Sequence, residues 1–525
     1  MKSHLANRAK PSEGVVYTAT MHAKTMIREA IFKRLAEEYE QLSVADFSDF
    51  QNGRLGRERA LELLKSIRSY RYLDPAVGQG IFLETLYQEI QIWQKQYSVL
   101  SSRWLSDRVT GYDIDKQMLD ICRRTLSYKP LLVHGDFLKD ESVKSADIII
   151  ANPPYIRQEL LQPEYKQYLI KAARQDWPTL KITARSDIYI YFMLKSARIL
   201  NDNGIMTFIV PNSWMDNDFG VSIRQLLTNS LQLSAIQERH WERHFDAEIN
   251  TVIITIVKKK VAPEYQINII SDNQRPIINQ TQLEKLVNGW YGSLFRCPEW
   301  LQNFLTSNRI IVPLQSQLSV KTGIITGNNR SFYSAQKTTS DALPVIRTPR
   351  AVKSIIFKQE NATIWLNRNV GEVILRRAPL LWVDLRGSRH LVAWNRDNLP
   401  FEHTFYGLTP LDNRALSAWA MLLNSTWVWL MVELFGRKSL GGGAIRLVKS
   451  DLLKLPLPTI DRLNLSGYNN FLNRPIHSWR EELKQPDRRQ LDLAIFAAMG
   501  LENRYNDIIE LTQRLMQQRE LKSRS

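Results

Sequence analysis

Short apolar, β-branched runs alternate with segments of helical periodicity through the N-terminal part of the chain. Runs of the first kind predict strands, and apolar residues at i, i+3 and i+4 predict helices. Strands that alternate with helices indicate a doubly wound, mostly parallel sheet of α/β class. We predict strands at residues 70–73, 109–112, 131–134, 147–151, 205–210 and 249–257, helices at residues 21–39, 57–66 and 187–200, and a loop at residues 43–56.

The pattern changes after residue 260, where short β-like runs, tryptophans and turn residues replace the alternation. This change predicts a second, β-rich mixed domain. Near the C-terminus, Leu491, Ile495, Phe496 and Met499 recur at helical core spacing. We therefore predict an N-terminal helical segment plus α/β domain at residues 1–260, a β-rich domain at 261–460 and a helical C-terminal segment at 461–525.

Composition narrows the class of protein. The chain has 525 residues, of which 44% are hydrophobic, so it is long enough for several globular domains. It has no apolar run of membrane-spanning length and no secretory signal, so we expect a soluble, cytoplasmic protein, and we expect a monomer. Two cysteines offer neither a disulfide framework nor a cysteine metal cluster, so we predict no metal site. The net charge of +17 modestly favours a polyanionic partner such as nucleic acid.

A glycine loop, Asp-Pro-Ala-Val-Gly-Gln-Gly at residues 74–80, follows the first predicted strand and precedes a helical pattern. Gly78 and Gly80 permit positive φ and close approach of a ligand, and the helix start offers free N–H groups. The dinucleotide fingerprint is absent, because its third glycine is replaced by Leu83 and Asp74 stands where a pyrophosphate would bind. An acid at this position favours a cationic group, such as the ammonium of an amino acid. The simpler alternative is a tight turn between strand and helix.

Two further acids stand at predicted strand ends. Asp113 follows the second strand, and a carboxylate there can accept both hydroxyl hydrogens of a ribose. Asp136 and Phe137 follow the third strand, in the sequence Gly-Asp-Phe-Leu. The alternative for Asp136 is a solvated turn residue.

The run Asp-Ile-Ile-Ile-Ala ends at Asn152, Pro153, Pro154 and Tyr155. Two prolines fit neither a helix interior nor a sheet ladder, so these residues belong at the end of a buried strand, where open α/β sheets bind ligands. The Asn side chain and the carbonyl groups can accept hydrogen bonds, and Tyr adds a flat face. The four residues predict a site for an amino group on a planar ring. A plain strand-terminating turn is the alternative.

The order of these motifs, followed by a basic β-rich domain, resembles that of the gamma-class adenine-N6 DNA methyltransferases of restriction–modification systems over nearly the whole chain. The segment Gly-Val-Val-Tyr-Thr at residues 14–18 is similar to the N-terminal cofactor motif of that family. Residues 423–425 and 441–444 are similar to landmarks of its target-recognition domain. The implied fold is that of S-adenosylmethionine-dependent methyltransferases, and the implied substrate is an adenine flipped out of double-stranded DNA.

The resemblance also implies a role for each matching residue. S-adenosylmethionine is expected to bind to the loop at residues 74–80, with Asp113 on the ribose, Asp136 on the adenine amino group and Phe137 on the adenine face. Phe192 is expected to line the cofactor pocket. The implied cofactor-binding residues are Tyr17, Thr18, Asp74, Pro75, Ala76, Gly78, Gly80, Asp113, Asp136 and Phe137. The implied catalytic residues are Asn152, Pro153, Pro154 and Tyr155, with Tyr155 stacked on the flipped adenine and Phe245 on its other face.

A glycine-rich basic loop at residues 436–446 is the sharpest candidate for contact with DNA. Its three consecutive glycines permit close approach of the backbone, and Arg437, Lys438 and Arg446 surround them. A flexible surface loop is the alternative. We expect double-stranded DNA as the partner, and a separately encoded restriction endonuclease as a possible second one.

Two other functions remain open at this stage. Methylation of a protein glutamine uses the same Asn-Pro-Pro-Tyr chemistry, but the second domain and the net charge of +17 argue against it. A non-catalytic DNA-binding or specificity protein on the same fold is disfavoured by the intact Asp74, Asp136 and Asn152. No paired-acid-plus-lysine nuclease motif is evident, so we do not expect a fused restriction activity.

Overall fold

The computed structural model describes residues 20–99, 104–239, 250–271, 277–286, 289–326, 329–367, 374–437 and 444–524. The chain divides into two compact units, Met1–Lys285 and Leu286–Ser525. The domain limits predicted at residues 260 and 460 remain predictions.

The first unit contains an α/β sheet. Its strands are β1 (Tyr72–Asp74), β2 (Val109–Asp113), β3 (Leu131–His134), β4 (Ala146–Ala151), β5 (Leu200–Pro211), β6 (Gln232–Arg239), β7 (Thr251–Val257), β8 (Gln266–Ile270) and β9 (Ile277–Asn279). Its helices are α1 (Thr20–Glu38), α2 (Val44–Gln51), α3 (Arg57–Ser69), α4 (Ile81–Gln96), α5 (Leu105–Arg108), α6 (Lys116–Thr125), α7 (Pro163–Asp176), α8 (Ile188–Ile199), α9 (Val221–Asn229) and α10 (Gln280–Glu284).

The described strands of this sheet lie in the order β3-β2-β1-β4-β5-β7-β6-β8-β9. Strands β1 to β5 pair in parallel, whereas β7 is antiparallel to both β5 and β6. The strand order reverses between β1 and β4, and such a switch point is where open α/β sheets bind ligands. The predicted doubly wound, mostly parallel sheet is therefore confirmed.

Strand β4 is buried on both faces from Ile148 to Ala151, as the apolar sequence Ile-Ile-Ile-Ala predicts, whereas Asp147 near its start is partly exposed. Ile148 and Ile150 belong to the core that also contains α1, α3 and α4, and Ile149, which points to the opposite face, is buried as well. This two-sided burial fixes the position of the residues that follow β4.

Two local predictions need correction. The segment predicted as a loop at residues 43–56 contains α2, because Ser43 and Asp46 form a capping box and the Phe47 and Phe50 side chains are buried. The strand predicted at residues 205–210 begins earlier, at Leu200, so the turn-forming sequence Asn-Asp-Asn-Gly at residues 201–204 lies within β5. Pairing with β4 skips from Leu200 to Ile205, and Asn203 has a φ of 57°. Asn tolerates this left-handed conformation, so the turn residues interrupt the strand without ending it.

The second unit is β-rich with additional helices. Its strands are β10 (Ile311–Pro313), β11 (Leu318–Thr322), β12 (Tyr333–Ser334), β13 (Leu343–Val345), β14 (Ile356–Phe357), β15 (Ile364–Leu366), β16 (Leu380–Val383), β17 (Leu385–Arg386), β18 (Val392–Asn395), β19 (Phe405–Pro410), β20 (Ile445–Arg446) and β21 (Pro456–Pro458). Its helices are α11 (Trp290–Phe295), α12 (Glu299–Ser307), α13 (Asn329–Phe332), α14 (Leu416–Leu423), α15 (Thr426–Phe435), α16 (Lys449–Leu453), α17 (Trp479–Glu482), α18 (Pro486–Met499) and α19 (Tyr505–Arg524).

The largest described sheet of this unit has the order β11-β19-β16-β18-β14, and a smaller one has the order β12-β15-β13. Helix α15 is buried along its whole length, in the same core that receives the predicted apolar face of α18. The one carboxylate of α15, Glu433, is paired with Arg519 of α19 at 2.8 Å. Within the described residues no single helix is long and apolar enough to cross a membrane. Helices α14 and α15 together have the length and composition of a membrane span, but the pair is bent by 51°.

Candidate active site

The glycine loop at residues 74–80 follows β1 and is the first part of the candidate site in the first unit. Gly78 and Gly80 have φ values of 51° and 89°, as the sequence predicts for a loop of this kind. A side chain at Gly80 would meet Cys122 Sγ at 2.7 Å, so the loop lies directly against α6. The Val77 N–H donates to the Tyr112 carbonyl at 2.8 Å, which ties the loop to β2.

Asp74, at the end of β1, has a buried and incompletely satisfied carboxylate. Its Oδ1 accepts a hydrogen bond from the Ala76 N–H at 3.0 Å, whereas the buried Oδ2 has no hydrogen-bond partner among the described residues. Burial raises the pKa of Asp74 to about 8; the Ala76 hydrogen bond opposes this shift, and the neighbouring charge of Asp113 adds to it. Such a group fits a cationic ligand, which would restore the lost solvation of the carboxylate.

Asp113 ends β2, beside Asp74. Its Oδ2 accepts from the Gly78 N–H at 2.9 Å and its Oδ1 from the Asp115 N–H at 2.8 Å. Burial is the main cause that raises its pKa, and these hydrogen bonds act in the opposite direction. Each oxygen retains a lone pair, so the carboxylate can still accept hydrogen bonds from a ligand.

Asp136 and Phe137 follow β3. The Asp136 Oδ1 accepts from the Leu138 N–H at 3.0 Å. The Phe137 ring is buried and stacks on Phe192 of α8, with centroids 5.6 Å apart. The Lys195 ammonium lies 5.2 Å from the Phe137 centroid. Phe137 and Phe192, both assigned to the cofactor pocket from the sequence, are thus direct neighbours.

The residues after β4 lie at the switch point. Asn152 and Pro154 are partly exposed, whereas Pro153 and Tyr155 are buried. The Tyr155 hydroxyl donates to Asn152 Oδ1 at 2.8 Å and lies 3.2 Å from the Ile209 carbonyl of β5. The Tyr155 ring meets Tyr189 of α8 edge-on, at a centroid distance of 6.4 Å. The carboxamide of Asn152 is therefore held by a side chain that two neighbouring elements fix in place.

The register of the sheet brings these groups together. Leu73 of β1 is level with Ile149 of β4, so Asn152 extends two positions beyond Asp74 along the adjacent strand. At about 3.3 Å per residue, this places Asn152 roughly 7 Å further out than Asp74. The Asn152 carboxamide would therefore lie further out from the strand ends than a ligand bound at the Asp74 loop.

Four predicted site residues, Tyr17, Thr18, Phe245 and Lys438, lie outside the described residues.

Arg437 and Arg446 face each other across an antiparallel bridge in the second unit. Both are paired with carboxylates of this chain: Arg437 with Asp451, through two hydrogen bonds of 2.6 and 2.8 Å, and Arg446 with Asp384 at 3.1 Å. The Arg446 side chain is 44% exposed and that of Arg437 only 25%. Arg446 is thus the more accessible of the two cations.

Several side chains around the site were missed from the sequence. The Tyr165 ring of α7 lies 5.0 Å from the Lys139 ammonium, and burial together with the charge of Asp136 raises the pKa of Tyr165. The Tyr189 hydroxyl contacts Ser213 Oγ at 3.1 Å, and the Lys195 ammonium donates to the Asp140 carbonyl at 2.7 Å. The spacing of Tyr165 and Tyr168 predicts that both side chains lie on one face of a helix. The local sequence does not indicate which residues this face contacts.

Residues 131–243 match the family model of the Eco57I restriction-modification methylases. Among curated proteins, the chain is 26% identical over 221 residues to the Type II methyltransferase M.BstVI of Geobacillus stearothermophilus, covering 37% of this chain and 38% of that one. It is 24% identical over 278 residues to M.AccI of Acinetobacter calcoaceticus, covering 50% and 48%. The match to M.XhoI of Xanthomonas vasicola is 21% identical over 449 residues and covers 72% and 79%. The alignments with the first two relatives thus span less than half of their lengths.

Among solved structures, the chain is similar to the Type IIL restriction-modification enzyme MmeI, solved in complex with DNA. The TM-score is 0.60 with 14% identity, over 95% of this chain and 79% of that chain. At this identity the likeness concerns the fold alone. The family match and the curated Type II methyltransferase relatives confirm the predicted resemblance to methyltransferases of restriction–modification systems, and the methylase family supports the predicted cofactor, S-adenosylmethionine.

Proposed function

We propose that this protein is a site-specific DNA methyltransferase that transfers a methyl group from S-adenosylmethionine to N6 of an adenine flipped out of duplex DNA. The observation that carries the proposal is the arrangement at the switch point. There, the partly exposed Asn152 carboxamide extends beyond the incompletely satisfied carboxylate of Asp74 on the adjacent strand. One group suits a cationic cofactor and the other an amino group.

The first unit offers three acids to the cofactor. The Asp74 Oδ2 would receive its ammonium group, Asp113 its ribose hydroxyls and Asp136 its adenine amino group. Gly78 and Gly80 allow the backbone to approach closely, and Pro75 and Ala76 complete the loop. When bound, S-adenosylmethionine supplies an electrophilic methyl group on a positively charged sulfur. Tyr17 and Thr18 belong to the same proposed cofactor site.

Asn152 and Pro153 would act on the target amino group. The Asn152 Oδ1 and the Pro153 carbonyl accept the two N6 hydrogens, which draws the nitrogen lone pair out of conjugation with the ring and towards the methyl group. Holding the amino group in line in this way lowers the entropic part of the barrier. Tyr155 fixes the Asn152 acceptor through its hydroxyl. Pro154 keeps the backbone rigid at this position.

The adenine must leave the duplex to reach Asn152, at a cost of roughly a few kcal/mol. We assign the stacking that offsets this cost to Tyr155 and Phe245. The second unit, with Arg437, Lys438 and Arg446, is the proposed DNA-binding part. Protection against a separately encoded endonuclease, and action as a monomer, belong to the same proposal.

The proposal is tested with methyl-labelled S-adenosylmethionine and the full chain. Label should enter duplex DNA as N6-methyladenine and should not enter a cell-protein extract. The Asn152→Ala variant should lose methyl transfer and keep the cofactor affinity of the wild type. Methyl transfer to protein alone would favour glutamine methylation. Absence of cofactor binding would favour a non-catalytic DNA-binding protein. Turnover by Asn152→Ala would show that the amino-group acceptor lies elsewhere.

A further inference from the structure

We propose that a basic segment at residues 347–353 of the second unit binds the phosphate backbone of duplex DNA through Arg347, Arg350 and Lys353. The inference rests on the proposed function, since it takes duplex DNA as the substrate. It adds a second set of cations to the proposed DNA-binding part, separate in sequence from the loop at residues 436–446.

The basic segment carries charge of one sign only. Residues 342–359 contain four cations and no Asp or Glu. The side chains of Arg350 and Lys353 are exposed, and that of Arg347 is partly exposed. None of these three side chains forms an ion pair with another residue in the part of the chain that the structure describes. Their N–H groups can therefore all be given to an anionic partner.

Other exposed arginines of the second unit differ from this segment because they are paired with carboxylates. Arg414 pairs with Asp461 at 2.5 Å and Arg504 with Asp507 at 2.7 Å, and each of these arginines is 51% exposed. A paired guanidinium has already spent part of its charge and its donors within the protein. The cations of the basic segment have not, which suits them to a partner that brings its own negative charge.

The start of the basic segment is anchored by backbone hydrogen bonds. The Ile346 N–H donates to the Pro400 carbonyl at 3.0 Å, and the Glu402 N–H donates to the Ile346 carbonyl at 3.0 Å. The Thr404 Oγ1 donates to the Arg347 carbonyl at 2.7 Å. Glu402 is only 2% exposed and accepts from the Thr404 N–H at 3.1 Å, so its carboxylate is not presented at the surface beside Arg347.

The end of the basic segment is anchored as well. A single 3₁₀ turn at Pro349–Ala351 leads to Val352, which is fully buried in a core of the second unit. The Ile476 N–H donates to the Lys353 carbonyl at 3.0 Å. Because both ends are fixed, binding of a phosphate backbone would not have to order this part of the chain.

The Arg347 side chain is held in place by an aromatic ring. Its guanidinium carbon lies 4.8 Å from the ring centroid of Tyr333, which is buried at the start of β12. Stacking on a ring orients the planar guanidinium and leaves its N–H groups at the edges of the plane available to phosphate oxygens. Arg347 is thus the preorganised cation of the segment, and Arg350 and Lys353 are the freely accessible ones.

The test titrates the full chain with a mixed-sequence DNA duplex at several salt concentrations. Arg350→Ala and Lys353→Ala should each weaken binding and lower the slope of log K against log salt by about one, and the triple variant with Arg347→Ala should lower it by about three. Arg414→Ala and Arg504→Ala remove the same charge from paired positions of the same unit and should leave the slope unchanged. Thermal unfolding checks that each variant is folded. The two variants at exposed positions carry the test even if loss of the stacked Arg347 weakens the fold.

Methyl transfer to unmodified genomic DNA provides a second readout. The triple variant should raise the KM for DNA, leave the KM for the cofactor unchanged and methylate the same sequence as the wild type, because phosphate contacts carry no sequence information. Methylation of a different sequence would assign these side chains to bases and overturn the inference.

An unchanged salt slope in the triple variant would also overturn the inference, and so would an equal loss of slope in Arg414→Ala and Arg504→Ala, which would reduce the effect to net charge. A wild type that does not bind the duplex would overturn both this inference and the proposed function. A wild type that binds DNA with the expected slopes but transfers no methyl group would overturn the proposed function and leave the inference in place.

Discussion

The Tyr155 hydroxyl donates a hydrogen bond to Asn152 Oδ1 at 2.8 Å, so two residues of one four-residue motif hold each other. The same hydroxyl lies 3.2 Å from the Ile209 carbonyl. The Tyr155 hydroxyl therefore orients the Asn152 carboxamide, which is the proposed acceptor for the amino group.

Tyr155→Phe should therefore lower kcat about tenfold and leave the KM for the cofactor unchanged, because the ring remains but the Asn152 carboxamide loses a donor worth about 1 kcal/mol or more. Tyr189→Phe is the control, since its hydroxyl contacts Ser213 and not Asn152. Single-turnover methyl transfer measures the effect. Equal rates for wild type and Tyr155→Phe would show that the hydroxyl does not orient Asn152.

Cofactor affinity should rise with pH up to about 8. Burial raises the pKa of Asp74 from 3.8 to about 8, so near pH 7 the carboxyl group must lose a proton before it can pair with an ammonium group. Calorimetry at pH 7 in buffers of different ionisation enthalpy should show about one more proton released per cofactor by the wild type than by Asp74→Asn. Identical proton release by the two proteins would exclude Asp74 as the cationic contact.

The same pKa shift affects stability. The folded protein retains a proton on Asp74 that the unfolded chain loses above about pH 4, so the free energy of unfolding should fall as pH rises from about 4 to about 8 and then level. Asp74→Asn should remove this part of the pH dependence. Denaturant unfolding at several pH values measures this pH dependence. If Asp74→Asn and the wild type show the same pH dependence, Asp74 is not its cause.

Arg446→Ala should weaken DNA binding and reduce its dependence on salt, with the slope of log K against log salt falling by about one. Arg437→Ala should also weaken DNA binding and should in addition lower the free energy of unfolding, because it removes the two hydrogen bonds that this less exposed arginine donates to Asp451. Binding titrations at several salt concentrations, with thermal unfolding of both variants, separate the two effects. An unchanged slope for Arg446→Ala would remove the loop at residues 436–446 from the DNA interface.

Arg519→Met should destabilise the second unit by about 3–5 kcal/mol, because it removes the arginine that pairs with the buried carboxylate of Glu433. The two side chains are only 3% and 1% exposed. Arg480→Ala, which breaks an exposed pair with Glu520, should cost about 1 kcal/mol or less. Chemical denaturation measures how much each variant lowers the free energy of unfolding. Equal losses in the two variants would show that burial does not strengthen the pair.

Much of the first unit followed from the sequence alone. The strand predicted at residues 131–134 is β3, and the strand ends that carry Asp74, Asp113 and Asp136 lie where the pattern places them. Buried parallel strands are short apolar runs, and the residue after each run necessarily lies at the edge of the sheet where ligands bind. Local pattern therefore determines which residues reach this edge.

The tertiary structure decided which side chains meet there. Tyr165 meets Lys139 only because α7 packs against the turn after β3, and Tyr155 turns its hydroxyl to Asn152 because Ile209 and Tyr189 fix its ring. The pairing of Arg437 with Asp451 likewise depends on the fold of the second unit. Such contacts join residues of different elements, and periodicity within one element carries no information about its neighbour. The sequence determined the groups available at the site, and packing determined which of them hold one another.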